Sequence, residues 1–163
     1  MEKEIKDEIE RELILFEKLP SIDNVYENIY IGNYASALLK DDLKLIGITH
    51  ILVCGYNLRE MFPQDFIYKT IKLYDSEYTK ISKHFDISNE FINEGNSKGK
   101  ILVHCGHGVS RSVSLVSGFL INFRQLPYSK SLGIIKEKRN IAKPNTGFDK
   151  ELRNYSYQLM KKF

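Results

Sequence analysis

The segment KILVHCGHGVSRSVSLVSGFL, residues 100–120, limits the folds open to this chain more than any other stretch. KILVH is a short apolar run of the kind that fills a strand buried on both faces. From Arg111 onward a second apolar run is long enough for a helix. Between them lies a tight loop of mostly small residues, Cys105 to Ser110, with glycines at Gly106 and Gly108. A buried strand that passes through such a loop into a buried helix is half of a βαβ unit, and such units build parallel sheets covered by helices.

The rest of the chain repeats the alternation. Residues 25–31 read as a short strand ended by Gly32 and Asn33, and residues 35–46 as a helix ended by Gly47. THILVC, residues 49–54, is another buried-strand run, and residues 66–73 are a further strand. Residues 80–96 read as a helix with Ile81, Phe85, Ile87, Phe91 and Ile92 as its buried stripe. Helices are also expected over 111–124, 129–138 and 147–161. The fold class is therefore α/β, with a central, mostly parallel sheet of about five strands flanked by helices. Residues 1–17 carry Ile5, Ile9, Leu13 and Phe16 at helical spacing before Pro20. Residues 1–20 are thus expected to form an amphipathic helix packed on or appended to a single domain spanning 21–163. At 163 residues and 42% hydrophobic, one domain can bury its core without staples.

Several function classes drop out on composition. A net charge of +3 is far below that of a dedicated nucleic-acid binder, so no nucleic-acid partner is expected. The sequence has no run of 18 apolar residues, so no membrane span is expected. The charged start, with Glu2, resembles neither a signal peptide nor a myristoylation site, and LMKKF is no prenylation box. Two cysteines, Cys54 and Cys105, make no disulfide scaffold, and free thiols in the cytoplasm or nucleus are the expectation. His104, Cys105 and His107 match no common zinc spacing, so no metal or other cofactor is expected.

What the loop can do follows from its geometry. Open α/β sheets hold ligands at the carboxyl ends of their strands. Successive N–H groups of a tight loop make an anion nest, and the following helix adds its free N–H groups and positive dipole end. Arg111 can fork two hydrogen bonds to a phosphate. The phosphate-binding set is Cys105, Gly106, His107, Gly108, Val109, Ser110 and Arg111. The same positive environment favours the thiolate of Cys105, which is the nucleophilic form.

HCGHGVSRS resembles the His-Cys-x-x-Gly-x-x-Arg-Ser signature of the cysteine-based protein phosphatases, and its Ser-Arg-Ser ending resembles the dual-specificity branch. ENIYIGNYASA (27–37), IKLYDSEYTKISKHFDISNEFI (71–92) and RNIAKPNTGFDKEL (139–152) resemble further segments of that family, so the likeness runs from about residue 24 to 160. The resemblance implies the cysteine-phosphatase fold. It also implies hydrolysis of phosphotyrosine, phosphoserine and phosphothreonine through a phosphocysteine. It makes Cys105 the nucleophile, Arg111 the phosphate clamp and Asp75 the general acid, with Asp86 the nearest competitor. Ser112 would bond the sulfur and assist the second step, although chemistry alone equally allows an ordinary first-turn serine. Phosphorylated proteins would be the substrates.

His107 stands where the family often has Ala, and a Cys-x-His-Gly loop also occurs in a related branch acting on RNA 5′-triphosphates. That branch continues Asn-Arg-Thr and does not rely on the usual acid, so Ser-Arg-Ser and Asp75 favour proteins, with His107 read as a solvent-facing loop residue. The absence of loop lysines argues against phosphoinositides. Glu151, where the family has Gln, is expected to be peripheral. A phosphoprotein-binding pseudophosphatase would have lost the cysteine, arginine or acid, and all three are present. A redox or sulfur-transfer role fits poorly with a nest ending in Arg-Ser. Cys54 ends the strand expected beside the one ending at His104. Several relatives carry a cysteine near this place, so Cys54 is the candidate redox partner of Cys105. His50 and His84 are expected to be structural. The sequence leaves oligomeric state and side-chain preference open.

Overall fold

The computed structural model describes residues 1–7 and 19–162. Its sheet has five strands: β1 (Ile22–Tyr26), β2 (Ile29–Gly32), β3 (His50–Cys54), β4 (Ile67–Ile71) and β5 (Ile101–His104). Their spatial order is β1-β2-β5-β3-β4. β1 and β2 pair antiparallel, and all other pairs are parallel. Register places Gly32 and Val53 on either side of His104, so β2, β3 and β5 all end at one edge.

β3 and β5 are buried along their whole length, which is why each reads as an unbroken apolar run. Their side chains divide by the period of two between two cores. Leu52, Cys54, Ile101 and Val103 face one, and Ile51, Val53 and Leu102 face the other. The second core is closed by two short helices, α1 (Tyr34–Ala37) and α2 (Lys40–Ile46). The first lies under α3 (Phe85–Lys98), α4 (Arg111–Phe123), α5 (Tyr128–Lys138) and α6 (Thr146–Met160). Helix α4 is central and packs against α3, α5 and α6. It can bury Ser114 and Ser117 because each hydroxyl donates to the carbonyl four residues back, at 2.6 and 2.8 Å.

The structure departs from the sequence reading in four places. Residues 25–31 are not one strand. Glu27 takes a left-handed φ of 45°, turning the chain into the β1–β2 hairpin. The helix expected over 35–46 is two, with Leu38 and Leu39 between them. Ile87 leaves the expected stripe and is 52% exposed. It lies about 200° around the helix from Phe85, and the buried face instead runs through Ser88, Asn89, Phe91, Ile92, Gly95 and Asn96. Glu151 is not peripheral: its carboxylate accepts from the Ile81 N–H (3.0 Å) and the Ser82 hydroxyl (2.8 Å), capping the short 3-10 turn Ile81–His84 before α3. Of the N-terminal helix, residues 2–7 are helical, and Ile9, Leu13 and Phe16 lie outside the described residues.

Candidate active site

Cys105 follows β5 directly, and Arg111 opens α4. The residues between them form a loop whose carbonyls are each tied outward. The Gly106 carbonyl accepts from the Tyr34 N–H at 2.9 Å, and the Val109 carbonyl from the Lys143 N–H at 2.8 Å. Arg139 serves the two in the middle: its Nη2 donates to the His107 carbonyl at 3.3 Å and its Nε to the Gly108 carbonyl at 2.7 Å. In a trans peptide unit the C=O and the next N–H point in opposite directions. Tying out carbonyls 106 to 109 therefore turns the N–H groups of residues 107 to 110 inward. One inward contact is visible, where the Gly108 N–H donates to Cys105 Sγ at 3.2 Å.

Two glycines make this packing possible. Gly108 has φ 69°, and a Cβ there would lie 2.6 Å from the Gly32 carbonyl oxygen. A Cβ on Gly55 would lie 2.5 Å from Arg111 Nη1, so the bare backbone gives the guanidinium its place. Arg111 is buried, and Ser112 Oγ stands 3.3 Å from Cys105 Sγ.

Asp75 sits in the loop after β4, and Asn145 fixes it to the nest. The Asn145 N–H donates to Ser110 Oγ at 2.9 Å, its Oδ1 accepts from the Phe148 N–H at 2.8 Å, and its Nδ2 donates to Asp75 Oδ1 at 2.9 Å. A backbone N–H can only donate, so the amide's orientation is forced. With a donor on Oδ1, a proton carried by Asp75 belongs on Oδ2. Asp86, the competitor, lies exposed in the first turn of α3. The sequence reading gave no role to Arg139, Asn145, Tyr34 or Lys143. The Arg…Pro-Asn segment was the only signal for the first two.

His107 is half-buried in the loop. Cys54 is fully buried, and burial, then the neighbouring Cys105, pushes its thiol well up. His104 is fully buried next to Cys105, and burial lowers its pKa from 6.5 to about 4. A histidine depressed in the folded state binds its proton more readily unfolded, so stability falls as pH drops from 6.5 toward 4. This group alone accounts for about 3 kcal/mol across that window. An NMR titration should find the His104 ring neutral through pH 6, and a midpoint near 6.5 would contradict its burial.

The comparisons with known proteins agree on one family. The family model for the dual specificity phosphatase catalytic domain matches residues 29–158. Dual specificity protein phosphatase 1 of Arabidopsis thaliana is 36% identical over 139 residues, covering 85% of this chain and 69% of that protein. Dual specificity protein phosphatase 1B of the same plant is 34% identical over 142 residues, covering 86% and 85%. The crystal structure of human DUSP28 has the same fold, with a TM-score of 0.82 at 21% identity, covering 88% of this chain and 97% of that one.

Proposed function

Because this chain belongs to the dual specificity phosphatase family, we propose that it hydrolyses phosphotyrosine and phosphoserine or phosphothreonine in proteins through a phosphocysteine on Cys105. The observation that carries the reading is the Gly108 N–H donating to Cys105 Sγ inside a loop whose N–H groups are turned inward. Such a nest stabilises both the thiolate and the equatorial phosphate oxygens. In the first step the thiolate attacks phosphorus, the P–O bond to the side chain breaks, and the leaving oxygen takes the proton of Asp75. In the second, water gives a proton to the Asp75 carboxylate as it attacks phosphorus, and the P–S bond breaks. The Ser112 hydroxyl, 3.3 Å from the sulfur, then stabilises the departing thiolate. Arg111 holds two phosphate oxygens throughout.

Phosphate release from a phosphotyrosine peptide, a doubly phosphorylated Thr/Tyr peptide, a phosphoinositide and a 5′-triphosphate RNA, with reductant and EDTA, tests this. Release from the peptides is expected to survive EDTA, because the nest and Arg111 supply the positive charge. Release from RNA alone would move the chain to the triphosphatase reading and make His107 a substrate contact.

Cys54 is proposed as the redox partner of the nucleophile. Val53 pairs with His104, Cys54 ends β3, Cys105 follows β5 directly, and both cysteines belong to one core. Strands about 4.8 Å apart suit the Cα separation of a disulfide. Peroxide would oxidise the Cys105 thiolate to a sulfenic acid, and the Cys54 thiol would displace water from it to give the disulfide. Peptide mapping after mild peroxide is expected to recover the linked pair. Sulfinic Cys105 beside reduced Cys54 would refute it.

A further inference from the structure

The loop carrying Asp75 is fastened by polar contacts to α6 and its N-cap. Besides the Asn145 bond, the Thr146 hydroxyl donates to Glu77 Oε2 at 3.0 Å, and Glu151 caps the turn where the loop ends. A second hold on the loop is of a different kind. Tyr74, next to Asp75, stacks on Tyr56 with ring centroids 4.1 Å apart and planes 15° from parallel. Tyr56 follows Gly55, the residue whose bare backbone accommodates the Arg111 guanidinium. The Gly55 N–H in turn donates to the Ile71 carbonyl at 2.9 Å, joining the ends of β3 and β4 just before both loops depart.

We infer that Tyr56 and Tyr74 are a positioning pair for the general acid, holding Asp75 over the phosphate loop through a contact independent of those made by α6. The inference rests on the proposed phosphocysteine chemistry. Both rings are half-buried, and the residue before Tyr74, Leu73, is anchored in the core. Between that anchor and the Asn145 bond, the stack fixes the one intervening residue. Two broad faces in contact resist tilting of the loop, whereas the single hydrogen bond at Asp75 Oδ1 is a pivot. Proton transfer needs the acid within hydrogen-bond reach of the leaving oxygen, and small misplacements are costly. Stacking needs the rings and not the hydroxyls, so phenylalanine should serve in place of tyrosine.

The test is kcat/KM, which reports the first chemical step, across aryl phosphates from dinitrophenyl to phenyl phosphate, with a phosphothreonine peptide added. A good leaving group departs without a proton, so only poor ones expose a misplaced acid. Tyr56→Ala is expected to lower kcat/KM about two- to tenfold on phenyl phosphate and the peptide. Its rate on dinitrophenyl phosphate should stay within about twofold, which also shows that the variant is folded. The dependence on leaving-group pKa should therefore steepen, and Tyr56→Phe should restore the wild-type slope. An equal loss on every ester, no loss, or failure of Tyr56→Phe to restore the slope would overturn the positioning role and leave the phosphatase reading intact. Wild-type protein inert toward every ester would instead remove the parent reading, and the inference with it.

Discussion

Cys105→Ser is expected to lower kcat on a phosphopeptide by about ten-thousandfold or more while leaving the fold and the nest in place. A serine hydroxyl stays protonated at neutral pH, and His104 behind it is a poor base for it: burial lowers its pKa to about 4, and its Nδ1 is turned toward the Cys105 carbonyl at 3.4 Å. The oxygen can still accept the Gly108 N–H that now meets the sulfur. Arg111 and the inward N–H groups are untouched, so the variant should hold a phosphopeptide it cannot turn over. Calorimetry should find binding and a malachite-green assay no release. Substantial release by Cys105→Ser would show that another group attacks phosphorus. Binding lost along with activity would show that the sulfur shapes the nest, and not only the reaction.

Arg139→Met is expected to cost about 2–4 kcal/mol of stability and to reduce activity at least about tenfold. Arg139 is among the largest fully buried side chains, and its guanidinium meets four partners. Besides the loop carbonyls, Nη1 donates to Ser21 Oγ at 2.8 Å and to Asp23 Oδ2 at 2.7 Å. Methionine fills the space and strands those acceptors. Asp23 is 38% exposed and regains water, which holds the cost below that of breaking a fully buried pair. The loop carbonyls regain less, and to find partners they must rotate. That rotation carries the Gly108 and Val109 N–H groups out of the nest, so stability and activity should fall together. Urea unfolding at pH 7, beside kcat on the same preparation, checks both. Full activity at reduced stability would mean that the loop holds its shape without Arg139.

The loop from Cys105 to Arg111 was legible because its parts are neighbours in the chain. A strand, six loop residues and a helix start fix where Cys105 and Arg111 fall relative to one another, whatever surrounds them. The strands β3 and β5 were legible for a similar reason, since burial on both faces leaves an apolar run. Less was legible where periodicity was short. The hairpin turn at Glu27 depends on one left-handed residue that is not a glycine, and no composition signal marks it. Ile87 entered the expected stripe on its apolarity alone, although its angle around α3 sends it to solvent. Glu151 looked incidental because the N–H groups it caps belong to residues 70 and 69 positions earlier.

Sequence alone thus determined where Cys105 and Arg111 fall and the strand-loop-helix that presents them, since local bonding geometry suffices to place them. Only the tertiary structure decided which way the peptide units of that loop face and where Asp75 stands. Those are orientations, and they are set by partners distant in sequence: Arg139 is 31 residues from Gly108, and Asn145 is 70 from Asp75. A peptide plane can rotate about its flanking bonds without changing any local pattern, so the direction of its N–H is settled by whatever takes its carbonyl.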